Sequence, residues 1–229
     1  MLDAAWVPLA LTLKVALWAT ALDLVVGVAI GYALARTRFV GRNLLDALLT
    51  LPMVLPPTVM GYYLLVLLGR QSAFGGWLFE TFGLRLIFTW QGAVIAAAVV
   101  SLPFVVKPAR AAFEGVDARL EQAARTLGVH EFGVFCRVTL PLAWRGILAG
   151  TLLAFARALG EFGATLMVAG SVPGQTQTLS IAVYEAVQAG QDAQAATLTA
   201  LLSVVAVVLL LAVGRLARGP VAAAARGGA

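Results

Sequence analysis

Long apolar runs separated by short polar turns make up most of this chain. Five of them are long enough for a helix that crosses a membrane, since a hydrocarbon layer of roughly 30 Å needs about 20 apolar residues. A further apolar segment, 179–189, is too short to cross and is interpreted as a re-entrant helix, with a sixth, tilted crossing as the alternative. The five predicted crossings are residues 9–35, 47–68, 90–106, 147–169 and 195–213. The pattern predicts an all-α polytopic membrane protein.

The composition supports a membrane protein. Of the 229 residues, 61% are apolar and only 12% are charged, whereas a soluble domain carries about 25% charged residues to cover its core. The N-terminal stretch opens with Asp3 and stays apolar to Ala35, so we interpret it as an uncleaved crossing and not as a signal peptide. The single cysteine, Cys136, has no partner for an internal disulfide.

The basic residues indicate sidedness and not nucleic acid, because the net charge of +5 is not gathered in one patch. They follow the first crossing (Arg36, Arg42), occupy the central segment (Arg125) and follow the last crossing (Arg215). Positively charged loops stay in the cytoplasm, so five crossings place the N-terminus outside and the C-terminus inside. Residues 1–218 form one predicted transmembrane domain, and 219–229, rich in Ala, Gly and Arg, form a predicted disordered cytoplasmic tail.

Two segments interrupt the apolar pattern at or near membrane depth. Pro52, Pro56 and Pro57 break the helical hydrogen bonds of the second crossing, which is tolerated only where protein or water satisfies the freed backbone groups. Residues 171–178, SVPGQTQT, are typical of a turn. We therefore expect irregular backbone inside the bundle at both places.

The central segment, about 111–142, is a charged, patterned stretch between two crossings. Asp117 is a plausible N-cap and Gly128 fits just past a helix end. A narrow apolar face at helical spacing lies between them and consists of Leu120, Ala123, Ala124 and Leu127. Helices that lie on lipid favour bulky apolar residues and a basic polar face. Because this face is small and its polar side mixes both signs, we favour docking to another protein.

The sequence EQAARTLG (121–128), followed by TLP (139–141), resembles the EAA loop of ABC importer permeases. Three further segments, LPMVLPPTVMGYYLLVLLGR (51–70), WQGAVIAAAVVSLPFVVKPAR (90–110) and LAFARALGEFGAT (153–165) followed by PGQTQTL, resemble the molybdate permeases of that class. Sulfate permeases share the LPP and GEFGA elements in looser form. The resemblance covers about residues 10–214.

This resemblance implies a type I ABC importer transmembrane domain in the bacterial cytoplasmic membrane. Its partners would be a cytoplasmic ATPase that receives the central loop, a second copy of the chain and an extracytoplasmic oxyanion-binding protein. Molybdate would be the cargo, with tungstate or sulfate as alternatives. The chain has no Gly-rich Walker loop, so it is expected to be no enzyme and to hold no cofactor.

The resemblance also assigns roles to residues of the central loop. The motif's glutamate position holds Gln122, and Glu121 stands one residue earlier, so either side chain could take the glutamate's role. The residues expected to couple to the ATPase are Glu121, Gln122, Ala123, Ala124, Arg125, Gly128, Leu140 and Pro141.

Ionisable and polar residues inside the crossings supply the remaining candidates. Arg157 and Glu161 stand at i and i+4, and we expect a structural ion pair that holds a broken or closely packed helix. Asp23 either faces the bundle interior and accepts hydrogen bonds, or draws the first helix toward water. The candidates for lining an oxyanion pathway are Thr58, Ser101, Thr165, Gln175, Thr176 and Ser180, although hydroxyls commonly bond to their own helix carbonyls instead.

Two other classes fit the sequence less well. An ion-coupled secondary transporter would predict inverted repeats and a relay of membrane carboxylates or histidines, and the sequence has neither. A membrane hydrolase would need a nucleophile and a base, yet the single histidine, His130, falls in the central loop. The residues also suggest no cluster of metal ligands.

Overall fold

The computed structural model describes residues 2–217 of the chain, and within that range it is all-helical, with no strand. The predicted tail, 219–229, lies outside the described residues. A π-helical turn, Phe135–Thr139, leads directly into α9. The α-helices are α1 (Leu2–Arg36), α2 (Arg42–Val54), α3 (Pro57–Leu68), α4 (Ala73–Phe82), α5 (Trp90–Ser101), α6 (Pro103–Glu114), α7 (Ala118–Thr126), α8 (Glu131–Val134), α9 (Leu140–Leu159), α10 (Gly163–Ala169), α11 (Leu179–Gln188) and α12 (Asp192–Ala217).

Three stretches of continuous helix are long and apolar enough to cross a membrane: Ala5–Arg36, Glu131–Leu159 and Asp192–Leu211. Helices α2 and α3 are separated by a sharp bend, and so are α5 and α6. Each of these pairs is long and apolar enough to cross a membrane only if its two helices form one span. The described residues therefore contain three to five segments that are able to cross a membrane. The short α11 matches the helix predicted at 179–189.

The second predicted crossing, 47–68, is not one straight helix. The break expected at the prolines falls at Leu55–Pro56, and α2 and α3 meet there at 117°. Pro57 starts α3 because a proline at the first helical position lacks only an N–H that would have no partner there. At 12 residues, α3 is about 18 Å long, too short to cross the hydrocarbon layer alone.

The fourth predicted crossing, 147–169, was wrong as a single helix. Its helix begins far earlier, at Glu131, and ends at Leu159, and the chain unwinds before α10 starts at Gly163. The third crossing, predicted to end at residue 106, runs on through a 44° bend to Glu114. Helix α6 therefore includes the first residues, 111–114, of the central segment predicted at about 111–142.

Helix α6 packs between α1 and α9. Pairs of glycines four residues apart line both of its contacts, as in closely packed membrane helices. A Cβ on Gly31 of α1 would lie 3.0 Å from the Ala109 Cβ, and one on Gly150 of α9 would lie 2.9 Å from the Phe104 carbonyl oxygen. These short approaches explain why a helix that carries Lys107 and Arg110 can still be held tightly.

The long helix α1 relates the two ends of the molecule. Near its start, the Lys14 Nζ lies 3.6 Å from the centre of the Trp90 ring, where α5 begins. At its end, Arg36 donates a hydrogen bond to Glu121 of α7. Residues 14–36 of a helix span about 33 Å, so the start of α5 and helix α7 lie at opposite ends.

One helix, α4, was missed in the loop predicted between the second and third crossings. The Ser72 hydroxyl caps it by accepting a hydrogen bond from the Gly75 N–H at 2.8 Å, and Gly83, at φ 67°, ends it. Four of its ten residues are aromatic. This composition, with Phe74, Trp77 and Phe82 largely exposed, suits a helix at a membrane–water interface.

Candidate functional site

The predicted limits of α7 are confirmed. Asp117 accepts a hydrogen bond from the Arg119 N–H at 2.9 Å and so caps the start of the helix. Gly128 follows the end of the helix at φ 83°, in the left-handed region that glycine adopts with the least strain. A tight turn then leads into α8, whose first N–H groups are capped by the His130 ring nitrogen at 2.9 Å from the Gly133 N.

Glu121 is the buried residue of α7, at 5% exposure. Its Oε1 accepts hydrogen bonds from the Arg36 guanidinium, at the end of α1, and from the Thr139 hydroxyl at 2.7 Å. Thr139 closes the π-helical turn before α9. One carboxylate therefore connects α7 to two long helices. The sequence did not identify Arg36 or Thr139 as a partner of Glu121.

Another side of α7 is uncovered. The face predicted to be apolar, Leu120, Ala123, Ala124 and Leu127, is called the α7 face below. Leu120 is half exposed and Leu127 is 84% exposed, while Gln122 is also exposed. Phe132, one turn into the following segment, adds a ring that is 73% exposed. Apolar side chains exposed together at a charged end of a molecule mark an interaction surface.

Arg125 links α7 to the segment that follows it. Its Nε lies 2.7 Å from the Glu131 Oε1, and its Nη2 lies 3.9 Å from the Glu121 Oε2. Leu140 and Pro141 open α9 directly after the π-helical turn. The eight residues predicted to couple to the ATPase thus lie in α7, in the turn directly after it, or at the start of α9.

A second cluster surrounds the break between α9 and α10. Arg157, in the last turn of α9, lies 2.8 Å from the Glu161 Oε2. The other oxygen of Glu161 accepts a hydrogen bond from the Ala164 N–H at 2.7 Å. A carboxylate near the start of a helix satisfies free N–H groups and complements the helix dipole. Glu161 therefore caps α10 while it pairs with Arg157.

The start of α3 and the start of α10, each directly after a break in the helical chain, pack against each other. A Cβ on Gly163 would lie 3.1 Å from the Pro57 Cβ and 3.1 Å from the Thr58 N, and one on Gly61 would lie 2.8 Å from the Ala164 Cα. Only glycine permits such close approach between α3 and α10. The LPP and GEFGA elements, about 100 residues apart in sequence, thus form one junction of irregular backbone inside the bundle.

Three of the six pathway candidates are buried and bonded within the chain. The Ser101 hydroxyl lies 2.5 Å from the Asp23 Oδ2 and 2.7 Å from the Ala97 carbonyl oxygen. Thr165 donates to the Phe162 carbonyl at 2.9 Å, and the Thr176 oxygen accepts from the Val172 N–H at 3.0 Å. The other three are accessible: Thr58 and Gln175 are exposed, and Ser180 is partly exposed.

Asp23 faces the interior, the first of its two predicted positions. It is 2% exposed and contacts Ser101 at the bend between α5 and α6.

An ion-pair cluster connects α2 to α6. Asp46 of α2 lies 2.8 Å from the Lys107 Nζ and 3.3 Å from Arg110. The sequence offered no signal for this link beyond opposite charges near one membrane boundary. Within residues 2–217, no group of three His, Cys, Asp or Glu side chains could hold a metal ion.

Comparison with known proteins assigns the chain to a family. Residues 27–219 match the family described as binding-protein-dependent transport system inner membrane component. This chain belongs to that family. It is 46% identical over 217 residues to the molybdenum transport system permease protein ModB of Escherichia coli (strain K12), covering 94% of this chain and 95% of that protein. These relatives are permease subunits and not enzymes.

Two further comparisons concern a sulfate permease and a solved structure. The sulfate transport system permease protein CysW of Synechocystis sp. is 41% identical over 204 residues, covering 88% of this chain and 74% of CysW. A chain in the crystal structure of an amino acid ABC transporter with histidines superposes with a TM-score of 0.66 and 20% identity, covering 94% of both chains. At that identity the superposition shows a shared fold.

Proposed function

We propose that this chain is the membrane-spanning permease subunit of an ATP-driven importer that moves molybdate into the cytoplasm. The observation that carries the proposal is α7, whose apolar face is uncovered while Glu121 anchors its other side to α1 and α9. A helix held in this way can transmit a push from a docked ATPase to two membrane helices. The chain would perform no chemistry itself.

Glu121 and Gln122 have different roles in this proposal. Glu121 is directed inward and holds α7 on the bundle, whereas Gln122 is exposed, next to the α7 face. Gln122, Ala123, Ala124 and Arg125 then contact the ATPase, and Gly128 sets the turn that presents them. Leu140 and Pro141 carry the motion into α9.

The assembly would contain two copies of this chain, two ATPase subunits on the α7 end and an oxyanion-binding protein at the opposite end. ATP binding would close the ATPase dimer and favour the outward-open state, because a ligand shifts an equilibrium by its different affinity for two conformations. The basic α7 end lies in the cytoplasm, which places the N-terminus outside and the C-terminus inside.

The pathway is proposed to pass the junction of α3 and α10. Irregular backbone at membrane depth occurs where it lines a cavity or is covered by protein. Thr58, Gln175 and Ser180 offer accessible donors and no fixed negative charge, as a passing oxyanion requires. Ser101, Thr165 and Thr176 would join them only after their present hydrogen bonds break. A second copy packed on α3 would complete the walls.

Molybdate is the favoured cargo because relatives named as molybdenum permeases match the chain at 41–46% identity. Sulfate is the alternative, supported by the likeness to CysW. Tungstate has nearly the size and charge of molybdate, so the chain would carry either.

Docking is tested by co-purification with the cytoplasmic ATPase of the same importer. Leu127→Glu and Phe132→Glu place charges on the exposed apolar surface and should reduce ATPase recovery by roughly tenfold. Ala118→Glu, at an exposed position of α7 away from the α7 face, is the matched control and should retain the ATPase. Full recovery with both face variants would refute docking at α7.

Cargo is tested by molybdate uptake in cells that lack the chain and in cells in which it is restored. Uptake restored by the chain, inhibited by tungstate and unaffected by excess sulfate supports the molybdate assignment. Equal inhibition by sulfate moves the chain to the sulfate alternative. If no oxyanion uptake depends on the chain, the cargo proposal fails while ATPase docking is still tested separately.

A further inference from the structure

A large cavity lies at the end of the molecule opposite α7. It is a half-open cleft of about 830 Å³ between the last turn of α3, the start of α4 and residues 84–89. Its walls are mainly apolar and include Leu65, Val66, Leu86 and Ile87. Small-molecule sites in proteins have volumes of about 300–1,000 Å³ and combine such walls with a few polar groups. The cavity therefore has the size and lining of a ligand site.

Two arginines belong to the cavity wall, and it is called the Arg70–Arg85 pocket below. Both stack on one ring of α4: the Arg70 Cζ lies 3.8 Å from the centre of the Phe79 ring, and the Arg85 Cζ lies 5.2 Å from it. The two guanidinium carbons are therefore no more than about 9 Å apart. Both positive charges therefore lie at one side of α4, within reach of the same cavity.

Neither arginine of the pocket has a carboxylate partner among the described residues, since every ion pair there involves other side chains. Five other arginines do lie within 4.0 Å of a carboxylate: Arg36, Arg42, Arg110, Arg125 and Arg157. Two neighbouring guanidinium groups without acids repel each other and favour an anion between them. Both guanidinium groups are also exposed, so their charges are accessible to a ligand in the pocket.

The depth of the pocket matches a membrane–water interface. Thr89, in its wall, precedes Trp90, which contacts Lys14 near the start of α1. The exposed rings of Phe74 and Trp77 on α4 lie beside it. Such aromatic rings and long basic side chains concentrate where lipid headgroups lie.

We propose that the Arg70–Arg85 pocket binds an anionic phospholipid of the leaflet at that end. The phosphate groups lie between the two guanidinium groups, and an acyl chain follows the apolar wall of α3 and residues 86–87. A free oxyanion would leave that wall unoccupied, and an acidic protein loop would have to bury its backbone against it. An anionic phospholipid matches both halves of the pocket, and this inference does not depend on the cargo.

Occupancy of the pocket would be felt at the junction of α3 and α10. Phe88, another wall residue, has a φ of 58°, a strained conformation for a bulky side chain. Its N–H donates to the Val168 carbonyl near the end of α10 at 3.0 Å. A lipid packed on residues 84–89 should hold this segment against α10, so binding should raise the unfolding temperature of the whole chain.

The test measures lipid retained by the purified full-length chain. Phosphatidylglycerol and phosphatidylcholine with identical acyl chains are offered together, and bound lipid is counted by native mass spectrometry. Wild type should prefer phosphatidylglycerol by roughly tenfold, and Arg70→Gln with Arg85→Gln should remove that preference. Arg38→Gln with Arg145→Gln is the matched control, because both arginines are exposed, lie outside every described ion pair and change the charge equally.

A second variant keeps the test decisive if the glutamine pair folds poorly. Arg70→Lys with Arg85→Lys retains the charge but loses two-pronged phosphate contacts, so its preference should fall between the other two. Equal retention of both lipids by wild type, or equal losses in the pocket and control variants, would overturn the proposal. Displacement of phosphatidylglycerol by millimolar inorganic phosphate would also overturn it. The same holds if the wild-type chain forms a dimer and the Arg70→Gln with Arg85→Gln variant is a monomer.

Discussion

At the scale of single residues, two carboxylates decide how this chain is held together. Glu121 and Glu161 each bridge elements that the sequence separates, and each is almost fully buried. Burying a carboxylate is costly unless it is paired and hydrogen-bonded. Both meet this condition with one arginine and one further donor. They should therefore respond to substitution far more strongly than their exposed neighbours.

The Arg36–Glu121 contact predicts non-additive losses of stability. Glu121→Gln and Arg36→Gln should each lower the free energy of unfolding by about 1–2 kcal/mol, a reduced value because Arg36 is about a quarter exposed. The double variant should lose less than the sum, measured by unfolding in mixed detergent micelles. Gln122→Ala, at the exposed neighbour, should change the free energy by less than about 0.5 kcal/mol. Purely additive losses would show that the two side chains do not interact.

Glu161 predicts a rescue. Arg157→Ala leaves a buried carboxylate without its cation and should destabilise the chain by about 2 kcal/mol, allowing for the partial exposure of Arg157. Adding Glu161→Gln removes the charge but keeps an oxygen for the Ala164 N–H. The double variant should thus unfold at higher denaturant than Arg157→Ala alone. Lower stability of the double variant would contradict the pairing.

At the scale of elements, α6 depends on the glycine pairs of its neighbours. In a membrane, helices attract each other through close packing and not through the exclusion of water. Gly27 and Gly31 of α1, with Gly146 and Gly150 of α9, let α6 approach on two sides. The sequence predicts each helix from its own apolar pattern, but it contains no local signal that α6 packs against both α1 and α9.

The α6–α9 contact predicts a position-specific effect of one leucine. Gly150→Leu would force side-chain atoms into the Phe104 carbonyl and Pro108, so it should reduce folded protein and lower the unfolding temperature, at a cost of about 1–3 kcal/mol. Ala149→Leu, at the preceding exposed position of the same helix, is the control and should be neutral. Detergent-solubilised yield and thermal unfolding measure both. Equal effects at the two positions would show that α9 is not packed as described.

At the scale of the whole molecule, the single cysteine reports sidedness. Cys136 is exposed and lies two residues from the end of α8, at the α7 end. The proposed orientation places that end in the cytoplasm. A membrane-impermeant thiol reagent should therefore label the chain in inside-out vesicles but not in right-side-out vesicles.

The same experiment has an internal control. Cys136→Ser with Thr81→Cys moves the thiol to the exposed surface of α4, at the other end of the molecule, and should reverse the labelling pattern. Labelling of Cys136 only in right-side-out vesicles would invert the proposed orientation.

The sequence by itself determined the features that depend on neighbouring residues. Apolar runs predicted the helices, Asp117 and Gly128 predicted the limits of α7, and the prolines predicted the break before α3. Each signal acts within one or two turns of the chain, through backbone hydrogen bonds and local sterics. The single helix from 147 to 169 was wrong because the sequence does not show where the chain unwinds: the break at 160–162 is stabilised by Glu161, which pairs with Arg157 and caps α10.

Only the tertiary structure decided which faces meet. Arg36 and Glu121 are 85 positions apart, and no local pattern shows that Glu121 points inward while Gln122 points outward. The junction of α3 and α10 and the Arg70–Arg85 pocket likewise join segments that are distant in sequence or separated by α4. Such contacts arise from packing and from the high cost of unpaired charge in the interior, which act on the folded bundle as a whole.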